Sequence, residues 1–212
     1  MKIKLLSATP QPERLVYLCA RQSRYPEGIA KIPKSEISAP QIKRLILQLL
    51  AWGHFGPFEH PHFTFSIWEV SRAFTHQLVR HRMATYDQQS LRYLDKTKTG
   101  PYKIVIPETI RPELKGEFLD FGAKAFSFYG KLIKKGIPPE DARFVLPIGT
   151  ETAITMTMNA RSIMHFLLMR LDKSAQWEIR ECAEEILKIM KKQMPITFGW
   201  FEKNWQKMPK TP

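Results

Sequence analysis

The sequence predicts an α+β fold in a single domain, and three observations point there. Two stretches have the period of half-buried strands: Phe63-Thr64-Phe65-Ser66-Ile67, and Thr152 to Met158, where Thr alternates with Ala, Ile and Met. Other stretches carry apolar residues at helical spacing, as at Ile42, Leu45, Ile46, Leu49 and Leu50. No internal repeat, Ser/Gly-rich linker or break in composition divides the 212 residues, so one domain over 1–212 is expected. At 43% hydrophobic the chain has the apolar material for a sizeable core.

Taken in order, Pro40 before the first apolar stripe and Gly53 after it frame a helix at about 41–52. A loop with Pro and His leads to the strand around Phe63. Ser71 is the expected N-cap of a helix running to about Arg82, with Phe74 and Leu78 on its apolar face. Met83 to Gly100 is polar without a period and reads as a loop, and Lys103 to Pro107 as a short strand. Phe118, Phe121, Ala125, Phe128 and Leu132 mark the core face of a long helix closed by Gly136; Pro138-Pro139-Glu140-Asp141 opens a short one that Pro147 stops. After the strand at Thr152–Met158 come helices from Ala160 to Arg170 and from Ser174 to Gln193. Ile179, Cys182, Ile186 and Met190 form the stripe of the last, while Cys19 sits in an apolar-flanked, strand-like stretch.

Composition narrows the function. Lys+Arg number 33 against 20 Asp+Glu, a net charge of +13 that attracts anions, whether nucleic acid or small phosphorylated molecules. The longest apolar stretch, Leu45 to Trp52, contains Gln48 and falls short of the ~20 residues a membrane span needs. Pro10, Pro12, Glu13 and Arg14 interrupt any signal-like start, so a cytoplasmic protein is expected. Two cysteines without CxxC spacing make neither a disulfide framework nor a zinc site.

No GxGxxG, GxxxxGK[ST], HExxH or GxSxG occurs, which removes the common nucleotide, metalloprotease and hydrolase scaffolds. Two segments concentrate chemistry. Gly53 to His62 holds His54, Glu59, His60 and His62, residue types that suit zinc or iron, although the spacing matches no helical ligand pair and turn or capping side chains are the commoner occupants. Gln77 to Tyr93 holds Arg80, His81, Arg82, Gln88, Ser90 and Arg92, a set able to grip phosphate through bidentate guanidinia, or else a solvated charged face. On a helix Arg80 and Arg82 would lie about 200° apart, so that one faces an internal site and the other a neighbour. A basic RNA-binding module is the rival from another class, but no RNP, KH or zinc-knuckle signature supports it.

Arg80-His81-Arg82 with seven residues before Ser90 closely resembles the signature of flavin-dependent thymidylate synthases. The resemblance extends in order through Ala20-Arg21-Gln22-Ser23, Gly53-His54 with Pro57-Phe58-Glu59-His60, Arg143 to Pro147, Asn159-Ala160-Arg161-Ser162, and Arg170 with Ala175 to Ile179. Three positions depart from the family pattern: Gly56 stands where a hydroxyl residue is frequent, His165 where asparagine is common, and Gln88 where some members carry glutamate.

The resemblance implies a mostly antiparallel sheet packed against a helix bundle, the thymidylate synthase-complementing protein fold. It also implies reductive methylation of dUMP to dTMP, with methylenetetrahydrofolate as carbon donor, reduced FAD as hydride donor and NADPH to recharge the flavin. By the same resemblance FAD is contacted by Ser23, His54, Gly56, Glu59, Arg80, His81, Arg82, Gln88, Asn159, Arg161 and His165. Gln77, Arg80, Gln88, Ser90, Arg92, Arg143 and Arg170 bind dUMP. Arg170 polarises the uracil and Ser90 positions it, without a cysteine nucleophile, a metal, a nucleic acid or a membrane. A homotetramer with shared active sites is implied as well.

Overall fold

The computed structural model describes residues 1–22, 25, 28–31, 37–92 and 103–208; Ser23 lies outside them. Four strands, β1 (Lys2–Ala8), β2 (His62–Ser71), β3 (Thr85–Gln88) and β4 (Glu151–Asn159), form a sheet in the order β1-β2-β4-β3. The α-helices are α1 (Pro12–Arg21), α2 (Ala39–Ala51), α3 (Arg72–Leu78), α4 (Lys115–Lys134), α5 (Pro139–Ala142), α6 (Ala160–Arg170), α7 (Trp177–Gln193) and α8 (Pro195–Asn204). The expected α+β class is what forms, and the pairing is antiparallel. Thr9 N–H donates to the His62 carbonyl while Lys2 reaches Glu69, and Arg72 N–H donates to the Thr150 carbonyl while Thr64 and Thr157 share a hydroxyl hydrogen bond. The chain divides into two compact units: a first of Met1–Lys2, Ile67–Arg80 and Tyr86–Thr155, and a second of Ile3–Ser66, His81–Thr85 and Met156–Pro212.

In the second unit α1 packs on α2, α2 on α8, α6 on α7 and α7 on α8. Ser38 caps α2 in a reciprocal box with Gln41, and Gly53, at φ 70, ends it as expected because a residue without Cβ takes that conformation at no steric cost. Phe63 and Phe65 of β2 are fully buried, and so are Ile179, Cys182, Ile186 and Met190, the stripe expected for α7. Each large apolar side chain of this kind contributes roughly 1.5–3 kcal/mol by leaving water. Three elements differ from expectation here. The segment around Cys19 is helical, α1, with Pro12 in its first turn. A further helix, α8, follows α7, and its first turn is closed from a distance by Glu13, whose Oε1 accepts from Thr197 N at 2.9 Å. The α7 helix itself begins at Trp177 rather than Ser174, since the Gln176 side chain takes the free N–H groups of Glu178 and Ile179.

In the first unit α3 begins as expected, with Ser71 Oγ accepting from Phe74 N at 2.9 Å and with Phe74 and Leu78 fully buried. It ends at Leu78, four residues before the expected Arg82. The polar stretch after it is not all loop: it forms β3 at the sheet edge. Lys103–Pro107 is not a strand, and Ile104 makes only a single bridge to Thr150. Helix α4 closes near Gly136, at φ 82, but its buried face is Gly122, Phe126 and Tyr129. Phe121 and Phe128, expected inside, are 65% and 49% exposed. In β2 the buried positions slip from Phe63, Phe65 and Ile67 to Val70 at Glu69, whose φ of 57 is the local geometry of an inserted residue.

Candidate active site

In the second unit, Gly53 turns the chain out of α2 into His54 and the 3-10 turn Gly56–Glu59. His54 is exposed, its ring 5.8 Å from that of Trp52. Around Gly56 nothing lies within 4 Å of where a Cβ would stand, so its backbone is approachable from outside. Glu59 forms an ion pair with Arg161, the second residue of α6. Asn159 caps α6, its Oδ1 accepting from Ser162 N at 2.8 Å, which leaves the amide NH₂ as the end of that side chain a ligand can use. His62 Nδ1 lies 2.9 Å from the His60 carbonyl, and among the described residues no group of three His, Cys, Asp or Glu is placed to hold a metal ion.

One hydrogen bond joins two segments 89 residues apart: Arg170 Nε donates to His81 Nε2 at 2.9 Å. Arg170 sits where the α6 stripe predicts it, beyond the fully buried Ile163, Phe166 and Leu167. His81 meets Phe166 edge to face, with ring centres 5.0 Å apart, and faces His165 at 6.3 Å. Burial, then Arg170, then His165 push the His81 pKa down to about 4, so the ring is a neutral acceptor at physiological pH. With Nε committed, both Nη groups of Arg170 have no hydrogen-bond partner among the described residues.

A titration follows from this pair. Between pH 6.5 and about 4 the unfolded chain protonates His81 and the folded one does not, so stability is complete above 6.5 and falls as the pH drops towards 4. The slope is at most about 1.4 kcal/mol per pH unit, reduced because the ring is only half-buried. Urea unfolding between pH 4 and 8 is expected to show the slope in wild type and a flatter profile in His81→Gln; equal slopes in both would sink the assignment.

Also in the second unit, a cavity of about 710 Å³ is lined by Trp52, Phe55, Arg161, His165, Trp200 and Lys207, among others. It combines aromatic faces with cations and brings together two expected flavin residues, Arg161 and His165. Trp52, Trp200 and Lys207 were not legible as site residues, because no motif surrounds them. Arg82 is exposed.

In the first unit the β3 edge is tied to α3. Gln88 Nε2 donates to Thr75 Oγ1 at 2.9 Å, Arg72 Nη2 to the Gln89 carbonyl at 3.2 Å, and Tyr86 Oη to the Leu78 carbonyl at 2.8 Å. Ser90 Oγ accepts from Arg92 N at 3.1 Å, the local role of a loop serine, while its hydroxyl proton stays available to a ligand. Gln77 is half-buried and its carbonyl accepts from Arg80 N; Arg80 and Arg92 are exposed. Arg143 is half-buried, donating from Nε to the Glu140 carbonyl at 3.0 Å. Arg80 and Arg82 do not lie on opposite faces of one helix as expected, because α3 stops at Leu78 and the triplet follows it.

The model of the thymidylate synthase complementing protein family matches residues 4–196. The chain is 37% identical to a flavin-dependent thymidylate synthase of Halobacterium salinarum, over 95% of each protein. It is 41% identical to that of Geobacter sulfurreducens, over 93% of this chain and 85% of the relative. Among solved structures it resembles the UMP/dUMP methylase PolB from Streptomyces cacaoi bound with 5-Br dUMP. There the TM-score is 0.81 at 26% identity, over 95% of this chain and 94% of that one. The chain belongs to the flavin-dependent thymidylate synthase family.

Proposed function

We propose that the protein is a cytoplasmic enzyme that converts dUMP to dTMP with methylenetetrahydrofolate as carbon donor, FAD as bound cofactor and NADPH as reductant. The observation that carries the reading is the Arg170–His81 pair: a guanidinium at the end of a buried helix stripe, fixed through Nε by a neutral histidine, with two Nη groups left to meet a substrate. Facing a uracil, those groups polarise its carbonyl and stabilise the charge left by loss of the N3 proton. His81 holds the guanidinium plane. Ser90 and Gln77 orient the nucleotide, and Arg143 and Arg92 meet its phosphate.

The residues present fit the cofactor. A cavity of about 710 Å³ lies within the range of small-molecule sites, its Trp52, Phe55 and Trp200 rings suit planar heterocycles, and Arg161 and Lys207 suit a diphosphate. When bound and reduced, FAD supplies the hydride. Exposed Leu114, Phe121 and Phe128 on and beside α4 favour a homotetramer with shared active sites, since a further copy would remove that apolar surface from water.

Neither cysteine suits nucleophilic attack. Cys182 is fully buried and burial pushes its thiol far up; burial raises that of Cys19 as well. Cys19→Ala, Cys182→Ala and the double variant are expected to make dTMP within several-fold of wild type. A loss of roughly 10³-fold in folded protein would restore a thiolate mechanism. The reading as a whole is tested on purified protein: flavin absorbance and reductant-dependent formation of dTMP support it, whereas colourless protein that binds RNA with a steep salt dependence overturns it.

A further inference from the structure

We propose that Glu13 is a positioning residue for the cofactor cavity of the second unit: from α1 it fixes the start of α8 and so holds the wall that carries Trp200 and Asn204; this rests on the FAD reading above. No described residue of α1 lines that cavity, whose walls come from the end of α2, from α6 and from α8 with the turn after it. Yet α1 packs against α2 and against the 3-10 turn Gly56–Glu59, and through Glu13 it reaches α8. Glu13 Oε1 accepts from Thr197 N at 2.9 Å and from Thr197 Oγ1 at 3.2 Å, across 184 residues. Thr197 is fully buried, and Trp200 and Asn204 follow it at helical spacing, so the two cavity residues stand about one and two turns from the fixed end.

Helix α8 depends on such a tie. It has 10 residues, fewer than a helix needs to hold itself in water, no side-chain cap of its own and a glycine, Gly199, in its interior. Phe198 and Phe201 fill its core side, and an ion pair of Glu202 with Lys191 at 2.7 Å ties it to α7 at the surface, where such pairs contribute little. Glu13 meets the N–H end of α8 while standing in the first turn of α1, so one carboxylate answers the positive ends of two helices. Asn204 Nδ2 donates to the Trp200 carbonyl at 2.8 Å, so the two wall residues are held to each other and follow the helix together. Burial is the strongest influence on the Glu13 carboxyl and pushes its pKa up, against the bonds from Thr197 and Ile196. An uncharged acceptor of the same shape therefore keeps the tie at little loss.

The test is titration of FAD into the full chain freed of flavin, read by tryptophan and flavin fluorescence, with thermal unfolding as control. Wild type is compared with Glu13→Ala, Glu13→Gln, Val16→Ala, Trp200→Ala and the double variant of Glu13→Ala with Trp200→Ala. Val16 is fully buried in α1, so its truncation loosens the same helix and leaves the tie in place. Glu13→Ala is expected to weaken FAD about 5- to 10-fold, the scale of a lost helix cap, while Glu13→Gln and Val16→Ala stay within about threefold of wild type. In the Trp200→Ala background the same change at Glu13 is expected to cost less than about twofold, because the ring it positions is gone. An equal loss of FAD in Val16→Ala would reduce the effect to general loosening and overturn the proposal. So would losses that multiply in the double variant, or Glu13→Gln as weak as Glu13→Ala. Should Glu13→Ala fail to fold, Glu13→Asp, which keeps the charge and draws the acceptor back by one methylene, is judged by the same ratios. Wild-type protein that binds no FAD would sink the cofactor reading and this inference with it, whereas unchanged FAD affinity in Glu13→Ala sinks this inference alone.

Discussion

Replacing Arg170 by alanine is expected to slow dTMP formation 10²- to 10³-fold with saturating dUMP, a loss of about 3–4 kcal/mol of transition-state stabilisation. The size follows from the division of labour within one guanidinium. Nε is bound to His81 at 2.9 Å, so the plane is set before substrate arrives, and the Nη edge is presented without reorganisation. Arg170 is half-buried, and that burial lowers its pKa by penalising the charged form. Lysine is expected to recover less than about tenfold, because a single ammonium cannot hold His81 and meet a carbonyl in the same plane. Single-turnover dTMP formation with pre-reduced flavin measures the effect, with flavin absorbance and native mass as controls on cofactor content and assembly. A helix-terminal cation with no part in the chemistry would contribute only about 0.3–1 kcal/mol to stability and leave turnover near wild type. That outcome would remove Arg170 from the mechanism.

The parts of this arrangement legible in sequence are those with a local cause. Arg170 was placed correctly because Ile163, Phe166 and Leu167 set the phase of α6 and Asn159 starts it, all within one helix. The α7 stripe was legible for the same reason. Helix α4 carries two apolar stripes, and the choice of Phe126 and Tyr129 over Phe121 and Phe128 lies in tertiary packing: Ile104 seats against Gly122, where a Cβ would meet its Cδ1 at 3.4 Å. Helix α8 has Pro195 in its first turn but no cap of its own, and the acceptor that closes that turn is Glu13, 184 residues away. Helix α1, whose N-cap Gln11 is held at φ 47 with no side-chain cap, is announced locally only by Pro12 and Glu13 in its first turn. The partnership of His81 with Arg170 is a contact between distant segments that no spacing rule contains.

Phe166→Ala is expected to cost about 3–5 kcal/mol of folding stability, a large fraction of the 5–15 kcal/mol that holds a domain folded. Phe166 is fully buried in the α6 face shared with Ile163 and Leu167, so truncation removes a whole ring and leaves a cavity that close-packed neighbours fill only in part. The ring does a second job. Its edge-to-face contact with His81, at 5.0 Å and 78°, is worth about 0.5–1.5 kcal/mol beyond its area and keeps water from one side of the imidazole. Burial is the largest cause of the depressed His81 pKa, so opening this side is expected to raise it from about 4 towards 6.5. Phe166→Leu retains most of the volume and is expected to cost less than about 1.5 kcal/mol, while losing the ring contact. Scanning calorimetry reads the first effect, a fall of roughly 6–20 °C in Tm for alanine at 2–4 °C per kcal/mol. Imidazole NMR titration reads the second, and a raised His81 pKa in Phe166→Leu would separate the ring contact from global loosening. If Phe166→Ala unfolds within about 1 kcal/mol of wild type and His81 still titrates near 4, Phe166 neither supports the core nor shields the histidine that orients Arg170.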